Sequence, residues 1–117
     1  MYIVLHLWEY DMGWVYLGIA IISDVLATIF LKLSDGLSNT FYSIGTLILY
    51  FNCFLCLSLA LKMIDVSIAY AVWAGLGVIL ISVIGIIFFN EPINAIKIIS
   101  TILIVVGVVG LKLSSLN

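Results

Sequence analysis

Residues 66–89 read VSIAYAVWAGLGVILISVIGIIFF, an unbroken apolar run that contains no charged side chain. A helix that crosses the hydrocarbon core of a bilayer needs about 20 consecutive apolar residues, and this run is long enough. A strand of a transmembrane β-barrel would instead alternate apolar and polar residues, and this run does not. The run therefore predicts an α-helix that spans a membrane.

Three further stretches on either side of this run have the same character. Short polar segments separate them, and the segment at 90–94, NEPIN, holds the only proline. The pattern predicts an all-α integral membrane protomer of four helices. Its transmembrane domain covers residues 12–117, and the predicted spans are residues 14–33, 41–61, 66–89 and 96–113. Residues 1–11 are predicted to be an N-terminal extension, because Glu9 and Asp11 separate them from the first span.

The composition excludes several classes of protein. The chain is 66% hydrophobic and 9% charged, whereas a soluble domain has about a quarter of its residues charged. It has no basic stripe, so we expect no nucleic-acid partner. It has no nucleophile–base set and no metal-ligand cluster, so we expect neither an enzyme nor a cofactor or metal. Cys53 and Cys56 form a C-x-x-C inside an apolar run and are interpreted as ordinary helix residues.

Asp24 lies near the midpoint of the first predicted span. An acidic side chain at that depth costs about 2.5–3.5 kcal/mol on insertion scales, so such residues are rare and mark functional sites. We interpret Asp24 as a site for protons and cations. The alternative is a protonated side chain that hydrogen-bonds a neighbouring helix as a packing contact.

Helical spacing indicates which residues surround Asp24. Those on its face are Leu17, Ala20, Ile21, Ala27 and Thr28. The small side chains at positions 20 and 27 leave room beside the carboxylate, either for close helix packing or for a cavity. The spacing leaves both possibilities open.

The third span carries Tyr70 and Trp73, three residues apart on one helical face. Aromatic faces attract cations, so this pair suits a lipophilic cation, although aromatic residues also pack helices or form interfacial belts. Gly75 and Gly77 follow and favour a close approach or a bend of the helix.

The fourth span has small residues on one stripe, at Ser100, Gly107 and Gly110. Such a stripe favours tight contact between helices in lipid. We interpret it as a dimer seam, with packing inside one chain as the alternative.

The four lysines give no clear membrane orientation. Lys32 and Lys97 fall on one side of the predicted membrane domain, and Lys62 and Lys112 fall on the other. Cytoplasmic loops normally carry the excess of positive charge. The tally therefore predicts insertion in both orientations and an antiparallel dimer. A parallel dimer, or pairing with a homologous chain, is the alternative.

From about residue 12 to residue 113, the chain resembles the small multidrug resistance family. The resemblance is carried by SDVLAT at 23–28, LKLSDGL at 31–37, IAYAVWAGLG at 68–77, FNEP at 89–92 and GVVG at 107–110. It implies a four-helix protomer in an antiparallel dimer that exports small cations from a bacterial cytoplasm across the inner membrane, in exchange for protons.

The resemblance also implies roles for individual residues. Asp24 matches the family's essential acid, and Tyr70 and Trp73 match its substrate-lining aromatic residues. The positions implied to lie near substrate are Trp14, Leu17, Ala20, Ile21, Thr28 and Tyr50.

One departure from the family pattern bears on function. The family acid is usually Glu, and the Asp at position 24 withdraws the carboxylate by one methylene group. Within the family, quaternary ammonium export is the first interpretation, with polyamine or guanidinium export, alone or in a paired heterodimer, as alternatives. The guanidinium branch typically has a Trp shortly after the acid, and residues 25–27 contain none. A non-transporting partner subunit or a lipid-handling protein is the alternative from another class.

Overall fold

The computed structural model describes residues 2–114, with side chains from Met12 onward. Within that range the chain forms four α-helices and no strand, which confirms the predicted all-α class. The helices are α1 (Tyr2–Leu33), α2 (Thr40–Ala60), α3 (Val66–Phe88) and α4 (Ala95–Ser114).

Each helix contains a segment long and apolar enough to cross a membrane. These segments are Met12–Leu33, Thr40–Ala60, Val66–Phe88 and Ala95–Ser114. Their ends lie within two residues of the predicted ones. The segment predicted to be an extension is helical from Tyr2 and continues into the first span without a break. Acidic residues at positions 9 and 11 interrupt the apolar run, but the backbone hydrogen bonds of a helix do not require apolar side chains.

The first of two compact units holds α1 and α2 and ends at Asp65. Buried small residues recur at every seventh position of α1, at Gly13, Ala20 and Ala27, and Ser34 continues the spacing one residue beyond the helix end. The same spacing recurs in α2, at Thr46, Cys53 and Ala60. A Cβ atom on Gly13 would lie only 2.9 Å from Cβ of Met63. Small side chains on these lines let the two helices approach closely.

Ser34 organises the tight connection between α1 and α2. Its hydroxyl donates to the carbonyl of Leu31 at 2.6 Å and accepts from the amide of Leu37 at 3.0 Å. Three consecutive residues, Asp35, Gly36 and Leu37, have left-handed φ values of 52°, 69° and 68°. Glycine adopts this conformation at little cost and Asp tolerates it, so the strain falls mainly on Leu37, whose amide donates to the Ser34 hydroxyl. Asn39 then caps α2 by accepting from the amide of Tyr42.

The second unit holds α3 and α4 and begins at Val66. A Cβ atom on Gly75 would lie 2.6 Å from Cγ2 of Val108, so the missing side chain permits close approach of α4. At the end of α3, Asn90 takes a left-handed φ of 54°. The Glu91 carboxylate folds back against Gly85, where a Cβ atom would collide with it. Every side chain of α4 is at least partly exposed.

Candidate functional site

Asp24 lies midway along the membrane-spanning part of α1 and is partly buried. Among the residues whose side chains the structure describes, none forms a hydrogen bond or an ion pair with its carboxylate. The charged residues Lys32, Lys62 and Lys97 lie instead at or near helix ends. Asp24 is therefore a deep carboxylate that its own unit does not neutralise.

The predicted neighbours of Asp24 lie on two lines of α1. Trp14, Leu17, Ile21 and Thr28 follow the same stripe as Asp24, at alternating spacings of three and four residues. Leu17 and Ile21 are only 1% and 4% exposed, whereas Trp14 and Thr28 are partly exposed. Ala20 and Ala27 lie on the adjacent line of small residues and are fully buried, as close helix packing predicts.

Thr28 and Tyr50 meet one turn beyond Asp24. The Thr28 hydroxyl donates to the backbone carbonyl of Asp24 at 2.9 Å and lies 3.3 Å from the Tyr50 hydroxyl. The ring of Tyr50 stacks on Phe54, with centroids 6.2 Å apart and planes inclined by 21°. The structure thus brings three of the predicted residues together beside a second aromatic ring that the sequence interpretation did not include.

A second polar contact joins α1 to α2 at the residue before Asp24. The Asn52 amide donates to the Ser23 hydroxyl across 2.7 Å. The Cys56 sulfur lies 4.0 Å from the Asn52 amide oxygen, one turn along α2. Sequence reasoning missed this pair. The available signal was an amide side chain near the middle of an apolar span, where polar groups require partners.

Tyr70 and Trp73 belong to the second unit and form an aromatic pair there. Their ring centroids are 5.2 Å apart, with planes inclined by 69° in an edge-on arrangement. Tyr70 is 59% exposed. The indole nitrogen of Trp73 is buried and has no hydrogen-bond partner among the described residues. Gly75 and Gly77 are both buried, and α3 runs through them as one helix, so a functional bend there stays a prediction.

The stripe of small residues on α4 is open. Ser100, Gly107 and Gly110 are all exposed, and a Cβ atom added at either glycine would meet nothing within 4 Å. The described part of the chain therefore leaves this stripe available for contact with another molecule.

Comparison with known proteins gives a consistent set of relatives. The family described as Small Multidrug Resistance protein matches residues 12–104. Quaternary ammonium compound-resistance protein QacC of Staphylococcus aureus is 46% identical over 102 residues, which cover 87% of this chain and 95% of QacC. The uncharacterized membrane protein YvaE of Bacillus subtilis is 45% identical over 102 residues, covering 87% and 86%. Multidrug resistance protein EbrB of Bacillus subtilis is 37% identical over 102 residues, covering 87% of each chain.

These matches confirm the resemblance that the sequence motifs indicated, and they agree with the four membrane-spanning helices. They also confirm the expectation of a transporter of small cationic compounds rather than an enzyme. The chain therefore belongs to the small multidrug resistance family of multi-pass bacterial membrane proteins.

Proposed function

We propose that the protein exports lipophilic and quaternary ammonium cations in exchange for protons, and that both compete for Asp24. The observation that carries this proposal is the deep, partly exposed carboxylate with no side-chain partner among the described residues. A charge at that depth is costly unless a cation or a proton offsets it. The quaternary ammonium resistance for which QacC is named supports the choice of substrate class.

Competition at one carboxylate is sufficient to couple the inward flux of protons to the outward flux of cations. A proton bound to Asp24 removes the charge that attracts the cation, and a bound cation favours the deprotonated form. The site is proposed to open to one face of the membrane at a time. It then changes from one face to the other only when a proton or a cation is bound to Asp24. Entry of protons then drives exit of cations.

The aromatic residues suit a lipophilic cation better than a strongly hydrated one. The Tyr50–Phe54 stack lies one turn from Asp24, and the Tyr70–Trp73 pair lies in the second unit. A cation placed over such a ring gains up to about 2 kcal/mol when water is excluded. We assign Tyr50, Tyr70, Trp73 and Trp14 to substrate contact, with Leu17, Ala20, Ile21 and Thr28 shaping the α1 side of the site.

We further propose that two copies assemble through α4, in antiparallel orientation. The open stripe formed by Ser100, Gly107 and Gly110 supports this seam, because small residues permit close contact between helices in lipid. The even lysine tally on the two sides supports opposite insertion.

Transport by the purified chain tests the proposal. In liposomes with an acidic interior, the wild type is expected to accumulate ethidium, and Asp24→Asn is expected to abolish accumulation because amides do not bind protons at these pH values. Asp35→Asn is the matched control, since Asn tolerates the left-handed conformation at this loop position. Undiminished accumulation by Asp24→Asn would contradict the assigned mechanism.

The same liposomes distinguish the alternatives. Spermidine and guanidinium are tested in parallel with ethidium. Preferential transport of either would favour the polyamine-exporting or the guanidinium-exporting branch of the family. If the chain alone transports none of the three, a non-transporting subunit or a lipid-handling role becomes the better explanation.

A further inference from the structure

Two polar contacts join α1 to α2 near Asp24. Their partners on α1 come before and after Asp24 in the sequence. One joins Ser23 to Asn52 at 2.7 Å, and the other joins Thr28 to Tyr50 at 3.3 Å. Ser23 is only 5% exposed. We refer to the first contact as the Ser23–Asn52 bridge.

The bridge lies on the opposite flank of the packed helix face from Asp24. On α1, Ala20 and Ala27 form the buried line, and Ser23 and Asp24 lie on either side of it because consecutive helical residues are about 100° apart. The Thr28–Tyr50 contact lies on the Asp24 side. The two contacts thus hold α1 from both flanks, which restricts its rotation against α2.

We propose that Asn52 is a positioning residue: through its hydrogen bond to Ser23 it fixes the rotation of α1 and therefore the direction in which the Asp24 carboxylate points. This inference rests on the proposed function of Asp24 as the shared proton and cation site. The small side chains at Ala20 and Ala27 permit close approach of the two helices but make no directional contact. The hydrogen bond from Asn52, an exposed side chain, to the buried Ser23 hydroxyl is directional and therefore favours one rotation of α1.

Loss of the bridge changes binding rather than abolishing it. Without it, Asp24 occupies a wider range of directions, and only some of these match the bound cation. Interhelical hydrogen bonds measured in a membrane protein correspond to a change in equilibrium of about three- to twentyfold. We expect ethidium affinity to fall by a factor in that range. The pH at which protons displace half of the ethidium is expected to move from its wild-type value, because the proton binds the same carboxylate.

The experiment compares ethidium binding to purified full-length variants across a pH series. Asn52→Leu removes the amide and keeps the number and branching of the side-chain heavy atoms, and Ser23→Ala removes only the hydroxyl that accepts its hydrogen bond. Ser23→Thr keeps a hydroxyl and is expected to retain most of the affinity. Ser58→Ala is the matched control on α2, because Ser58 is exposed and forms no hydrogen bond with the described residues.

The expected result is weaker binding and a shifted pH profile for Asn52→Leu and Ser23→Ala, with the double variant no worse than either single one. Non-additivity of this kind identifies two groups that act through one bond. Wild-type affinity and pH profile in both single variants would overturn the inference, as would an equal effect of Ser58→Ala. If Asn52→Leu does not fold, Ser23→Ala and Ser23→Thr decide the question alone. Wild-type-like binding by Asp24→Asn would instead contradict the proposed function itself, whatever the bridge variants do.

Discussion

At the scale of single residues, the proposed function depends on one carboxylate. Lys32, Asp35 and Glu91 lie at or beyond helix ends, where long side chains reach the interface, whereas Asp24 lies in the middle of a span. A charge in that position is stable only while something neutralises it. The proposed competition between protons and cations depends on this one residue.

Competition predicts that cation binding weakens as the pH falls. Lowering the pH is expected to increase the fraction of molecules in which Asp24 carries a proton. The apparent Kd for ethidium is therefore expected to rise, by up to about tenfold per pH unit when one proton must leave. Fluorescence titration of the purified protein at several pH values measures this slope. A Kd that does not change with pH would refute competition. The Asp24→Asn variant, measured alongside, is expected to show no slope.

At the scale of helices, glycine decides how closely neighbours approach. Gly75 on α3 faces Val108 on α4, and an added Cβ atom would lie 2.6 Å from Cγ2 of Val108. Gly18 on α1 has nothing within 4 Å of the same position. The two glycines share a helical setting and differ in their surroundings, which makes them a matched pair.

Gly75→Ala is expected to destabilise the protein by about 1–3 kcal/mol, because α4 must shift to make room. Gly18→Ala is expected to be neutral or to stabilise by up to about 1 kcal/mol, since alanine favours the helix. Thermal unfolding in detergent, followed by circular dichroism, measures both. Equal stability of the two variants would show that α3 and α4 do not pack as described.

The sequence predicted the helices better than the contacts between them. Spans could be placed within two residues because a bilayer imposes an apolar run of fixed length. Asp24 could be singled out because a charge inside such a run is unusual, and its functional role stays a prediction. The Ser23–Asn52 bridge was missed because its partners lie 29 positions apart, and periodicity within one helix gives no information about the other. The hydrogen bonds of Ser34 join neighbours three residues away, and they were missed for another reason: turn residues indicate a loop but not its hydrogen bonds.

At the scale of the whole molecule, orientation depends on four lysines. Lys32 and Lys97 lie on one side of the predicted membrane domain, and Lys62 and Lys112 lie on the other. Because the lysines are evenly distributed, removal of one positive charge is expected to be sufficient to favour one membrane orientation over the other.

Lys62→Gln is therefore expected to shift the chain towards a single orientation, with Lys32 and Lys97 in the cytoplasm and the C-terminus outside. Reporters fused to the C-terminus, one active only in the cytoplasm and one only outside it, measure the two populations. The wild type is expected to activate both. A wild type that activates one reporter alone would rule out dual insertion.

The exposure of α4 along its whole length has a consequence for biogenesis. This helix is synthesised after α1, α2 and α3, and none of its side chains is buried among the described residues. If two copies assemble through α4 as proposed, lipid surrounds this helix until a second molecule arrives by diffusion in the plane of the membrane. Under that proposal the final step of maturation is bimolecular, and the yield of assembled transporter is expected to rise more steeply than the amount of protein made.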